Sequence, residues 1–101
     1  MPDTGTYTTA HAAKYLRQLC KHFAHKITVT LDDDQPDAPR AEIRFAFGTA
    51  QLSADAGIFT AQVAAQDENT LAKMRFVIDK HLKQFAFREE FTTLNWQNST
   101  P

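Results

Sequence analysis

Hydrophobic and polar positions change their period several times along the chain, and each change marks an element. Residues 4–9 alternate threonine with Gly5 and Tyr7, a β-prone run that predicts a short strand, with Thr8 or Thr9 placed to cap a helix. Over residues 10–24, Ala12, Leu16, Leu19, Cys20 and Phe23 recur three and four apart, the stripe of an amphipathic helix whose other side carries Lys14, Arg17, Gln18 and Lys21. Residues 26–31 switch to a period of two, with Ile27, Val29 and Leu31 inward and Thr28 and Thr30 outward. The segment DDDQPDAPR has prolines, aspartates and no apolar period, so residues 32–41 are expected to form a mobile acidic loop.

Alternation resumes at residues 42–47, with Ile43, Phe45 and Phe47 inward, and Gly48 is expected to take positive φ in a tight turn into a strand carrying Ala50, Leu52 and Ala54. A second turn at Ala56 and Gly57 leads to a strand with Phe59, Ala61, Val63 and Ala65 on one face. Asp67 is placed as an N-cap, Glu68 complements the dipole of the helix that follows, and Leu71, Met74, Ile78, Leu82 and Phe85 form its buried stripe, flanked by Val77 and His81. Lys73, Lys80 and Lys83 face away. The tail alternates again, with Thr92, Leu94 and Trp96 on one side of a last strand.

The order is β-α-β-β-β-β-α-β. Strands run together and two one-sided helices stand apart, which predicts an α+β fold: a two-layer arrangement of an antiparallel sheet with both helices on one face. The other face, carrying Ala46, Thr60, Gln62 and Ala64, is then either solvated or paired with another chain as a homodimer.

Length and composition narrow this further. At 101 residues, 43% of them hydrophobic and eight of them phenylalanine, the chain reads as a single domain over residues 1–101, ordered from about 4 to 97. Eleven basic and twelve acidic residues give a formal charge of −1, which argues against general nucleic-acid binding. One cysteine, an opening without a signal-peptide pattern and the lack of any long apolar run predict a cytoplasmic protein that does not enter a membrane.

Candidate chemistry concentrates at the two helix ends. CKHFAHK brings Lys21, His22, His25 and Lys26 together, and HLKQFAFREE brings His81, Arg88 and Glu89. His22 and His25, three apart, fall on neighbouring positions of a helical surface, so with His81 they are the candidate metal ligands. The simpler alternative is that basic side chains at a helix C-terminus complement its dipole. Cys20 lies on the buried stripe, where a thiol behaves as a small hydrophobe. There is no triad spacing and no glycine-rich phosphate loop, and the aspartate run lacks the glycine and closing glutamate of a calcium loop. These residues leave the identity of any cofactor open.

The strings YLRQLCKHFAHK and HLKQFAFREEF resemble the bacterial family known as domain of unknown function 2218 over nearly the whole chain. The resemblance implies a small stand-alone domain. Because related domains are sometimes attached to siderophore-interacting flavoproteins, it also implies a link to iron or siderophore metabolism, with such a flavoprotein as partner. It brings no established activity. The reading is therefore a binding or accessory module rather than an enzyme, with a small metal- or histidine-dependent enzyme and a dimerising interaction domain as the alternatives.

Overall fold

A computed structural model describes residues 2–89 and 91–98, with the side chain of Asn98 outside the description. These residues form strand β1 (Pro2–Thr8), helix α1 (Ala12–Phe23), strands β2 (Thr28–Asp32), β3 (Arg40–Phe45), β4 (Gly48–Asp55) and β5 (Ile58–Ala64), helix α2 (Glu68–Phe85), a 3₁₀ turn (Phe87–Glu89) and strand β6 (Asn95–Asn98). The strands make one antiparallel sheet in the order β2-β3-β4-β5-β1-β6. The fold is α+β, in the element order that the period changes imply. The consecutive hairpins β2 to β5 build a meander. The N-terminal strand then pairs along β5, and β6 closes on β1's free edge.

Side-chain alternation assigns the faces. Ile43, Ala50, Leu52, Ala54, Phe59, Ala61 and Val63 are all buried on one side, where α1 packs mainly over β3 and β4, and α2 over β4 and β5. The helices contribute Leu16 and Leu19 from α1 and Met74, Ile78 and Leu82 from α2, each without solvent exposure. The opposite face carries hydroxyls, amides and charges, and a shallow hollow of about 460 Å³ lies over Thr30, Gln51, Ser53, Thr60 and Gln62.

Two turns differ in chemistry. Ala56 and Gly57 have φ of 53° and 75° between the paired residues Asp55 and Ile58, the doubly left-handed geometry that suits a two-residue hairpin. The turn expected at Gly48 sits one step earlier, at Ala46 and Phe47, because Gly48 already pairs with Phe45. Gly48 does not have positive φ; a Cβ there would come within 2.4 Å of the Ala64 carbonyl oxygen, so glycine is required by close approach of the backbone. Gly5 answers a similar need: its cross-strand partner Trp96 lies over it, with a ring atom 2.7 Å from where a Cβ would be.

Other boundaries move for identifiable reasons. α1 begins at Ala12 with His11 as an N-cap that makes no side-chain bond, because the Thr9 hydroxyl, expected to cap, is used in a tertiary contact. That hydroxyl still accepts the His11 N–H at 3.1 Å. β2 is an outer strand that the helices only partly cover, so Val29 is half-buried and Leu31, expected inward, is 41% exposed. Phe47 lies in the turn and stacks on Phe45 at 5.6 Å rather than entering the core. Asp67 caps α2 as expected, accepting the Thr70 N–H at 2.8 Å. In the acidic segment, Asp33 is gripped by the Arg17 guanidinium of α1, at 2.8 and 3.0 Å, and Arg17 also donates to the Pro36 carbonyl.

Candidate functional site

The final turn of α1 is closed by backbone bonds alone: Ala24 N–H donates to the Cys20 carbonyl, and Lys26 and Ile27 N–H both donate to Phe23. Those carbonyls need no side-chain donor, so Lys21, His22, His25 and Lys26 are all left exposed at the negative end of the helix.

On α2, His81 sits half-buried at the edge of the apolar stripe. Its Nδ1 lies 2.7 Å from the carbonyl oxygen of Val77, one turn back. A carbonyl can only accept, so Nδ1 carries a proton, which makes Nε2 the ring nitrogen available to an outside partner. The His22 ring approaches that ring from α1, centroid to centroid 4.8 Å at 45°. Phe23 lies 4.8 Å from His81, and Phe85 lies 6.2 Å from His22. Phe23 in turn meets Phe45 edge-on at 5.3 Å. Two imidazoles from different helices thus share an aromatic seat. Partial burial of the ring, then the neighbouring His81, Lys26 and His25, lower the pKa of His22.

The remaining candidates go elsewhere. Arg88 is exposed, its guanidinium 5.7 Å from the ring of its neighbour Phe87. Glu89 turns toward β1 and α1, where its carboxylate accepts hydrogen bonds from Thr9 at 2.8 Å, from Tyr7 at 3.4 Å and from Tyr15. The Tyr15 bond chiefly holds the Glu89 pKa below the usual carboxylate range, with Thr9, Tyr7 and His11 adding to it. Burial and that same carboxylate push Tyr15 up to about 12. A carboxylate so saturated with donors is a poor base, and its geometry is that of a clasp.

Sequence reasoning missed this clasp, although a signal existed. Tyr15 falls three residues after Ala12 and four before Leu19, on the side of α1 that is buried, and a buried phenol requires an acceptor. It likewise missed Asp3, which is buried on β1 against Arg75 of α2, with Arg75 also held by Glu68 at 2.7 Å. Cys20 is buried, and burial pushes its thiol up to about 11, which leaves it protonated. Among the described residues, no group of three or more His, Cys, Asp or Glu side chains is arranged to hold a metal ion. No described helix is long and apolar enough to cross a membrane.

These features define a small two-layer α+β domain with a histidine pair bridging its helices. The sequence profile of uncharacterized proteins conserved in bacteria, domain of unknown function 2218, matches residues 4–97, and the chain belongs to that family. It is similar to PA4090 from Pseudomonas aeruginosa, solved by NMR, with 30% sequence identity and a TM-score of 0.77 over 99% of this chain and 98% of that one. No curated protein matches the chain.

Proposed function

We propose that the protein is a binding or accessory module that takes an anionic metal chelate at the His22–His81 edge, with iron the first metal to test. The observation that carries this reading is the imidazole pair: two rings from separate helices at 4.8 Å, one with its tautomer fixed by a backbone carbonyl. With metal–nitrogen bonds near 2 Å, two imidazoles on one ion have ring centres about 5 Å apart, and a ligating histidine characteristically donates its other N–H to a carbonyl or carboxylate. Since the described residues supply no third protein ligand of the usual kinds, an ion seated here has to bring most of its own donors. Lys26 and His25 lie close enough to His22 to act on its charge, and with the exposed Lys21 of the same helix end they suit an anionic chelate. The association of related domains with siderophore-interacting flavoproteins supports iron as the metal and such a flavoprotein as the partner.

A catalytic reading has less support. Among the described residues no hydroxyl or thiol is hydrogen-bonded to either imidazole, and the buried Cys20 thiol is held protonated. The test of the binding reading is a titration of isotope-labelled protein with ferric nitrilotriacetate, a chelate with open coordination positions. Selective paramagnetic broadening of His22 and His81, weakened at least tenfold by His22→Ala and by His81→Ala, is the expected result. Broadening indifferent to both substitutions would end the proposal.

A further inference from the structure

Away from the histidines, the outward side of α2 has an unusual composition. Phe76 is 56% exposed and Phe87, just past the helix end, is 62% exposed. Phe76 lies on one stripe of α2 with Lys73, Lys80 and Lys83, because positions 73, 76, 80 and 83 follow the three-and-four spacing of a single helical face, and Phe87 opens the 3₁₀ turn just beyond the helix end. Each ring carries its own cation: Lys80 Nζ is 5.9 Å from the Phe76 centroid, and the Arg88 guanidinium is 5.7 Å from Phe87. Large aromatics this open are costly in water, and two of them, one on the helix and one just past its end, outline a partner surface rather than a gap in the core.

Charge says what that surface fits. The acidic groups of this helix are occupied: Asp67 by the Thr70 N–H, Glu68 by Arg75, and Asp79 by Trp96 Nε1, Leu94 N–H and the Thr93 hydroxyl. Lys73, Lys80, Lys83 and Arg88 form no salt bridge among the described residues. The stripe is therefore locally cationic on a molecule whose formal charge is −1. An extended polyanion, whether bilayer or nucleic acid, would meet the rest of that molecule as well, including four aspartates in residues 32–37. A short acidic segment would feel only the stripe, since screening confines the interaction to about 8 Å at physiological salt. We infer that the outward stripe of α2 is a docking surface for an acidic, amphipathic segment of a partner protein, whose apolar residues cover Phe76 and Phe87 and whose carboxylates meet Lys80 and Lys83.

The test uses the whole chain, isotope-labelled, and a synthetic helical peptide with leucines three and four apart and glutamates between them. Expected are amide shifts confined to residues 73–88, binding that weakens as salt is raised, and at least tenfold loss in a Phe76→Ser/Phe87→Ser variant. A Lys80→Glu/Lys83→Glu variant should instead prefer the same peptide with lysines in place of the glutamates. The inference is overturned by equal binding of both peptides to the native chain, or by no binding. It is equally overturned if phosphatidylglycerol vesicles or a single-stranded RNA shift residues 73–88 more strongly than the peptide, or if those residues shift with protein concentration alone. All four changed side chains are exposed, so each variant should keep its amide spectrum; one that does not is replaced by Phe76→Gln/Phe87→Gln, read by the same shifts.

Discussion

Glu89 shows how much a single side chain can organise when its donors come from distant parts of the chain. Thr9 ends the approach to α1, Tyr7 lies on β1 and Tyr15 is in the first turns of α1, yet all three hydroxyls converge on one carboxylate. Such bonds to an ionised acceptor contribute about 1.5–3 kcal/mol when broken singly, so Glu89→Gln should lower the unfolding free energy by about 2 kcal/mol, read from urea titration at pH 7. The pH dependence has a definite sign. Because the folded pKa lies below the unfolded one, ionised Glu89 stabilises the fold fully above roughly pH 4.3, and the contribution disappears as pH falls through the lower folded value. The Gln variant should therefore lose less stability than the native chain between pH 5 and pH 3. Glu89 stood out in the sequence as part of a helix-end cluster, but its partners did not. A hydroxyl in a threonine-rich strand gives no hint of which carboxylate it will meet 80 residues later.

At the scale of elements, the apolar periods decided most of the architecture. Leu16 and Leu19 on α1, and Leu71, Met74, Ile78 and Leu82 on α2, all lie in the core, because a stripe spaced at three and four has only one way to leave water. Periods are silent about turns and edges. The reason for Gly48 is a neighbouring strand's carbonyl, and the exposure of Leu31 follows from β2 being outermost; both depend on which strands become neighbours. The two hairpins consequently respond in opposite directions to substitution. Ala56 holds φ of 53°, a region costly for alanine and tolerated by asparagine, so Ala56→Asn should complete an Asn-Gly turn and raise stability by about 0.5–1 kcal/mol. Gly48→Ala should cost about 2 kcal/mol, since backbone rather than a flexible side chain blocks the new methyl. Denaturant midpoints moving the same way in both variants would refute this account of the turns.

For the molecule as a whole, a formal charge of −1 conceals segregation. α1 carries Lys14, Arg17 and Lys21 with no acidic residue, whereas Asp32 at the end of β2 and three more aspartates in the loop that Arg17 grips carry the opposite sign. The sequence displayed both runs, and two helices laid side by side on one sheet already implied that the end of α1 would approach His81, but not which imidazole would meet it. That juxtaposition depends on how the helices lie across the sheet, and it couples His22 to charges from both helices and from the turn after α1. Partial burial is the largest influence on His22, followed by His81, Lys26 and His25, and all act against its protonation. With the folded pKa below the unfolded value of roughly 6.5, the unfolded chain takes up the proton first. His22 therefore costs the fold nothing above that pH, and subtracts stability progressively as pH falls from 6.5 toward the folded pKa. Following the His22 ring proton by NMR should give a midpoint below 6.5. His81→Ala removes the second influence and, with the packed ring, part of the first, so it should move the midpoint back up toward 6.5, and Phe85→Ala should move it in the same direction by exposing the ring to water. A His22 midpoint at the ordinary histidine value in the native chain would mean that the two rings do not share the seat in solution.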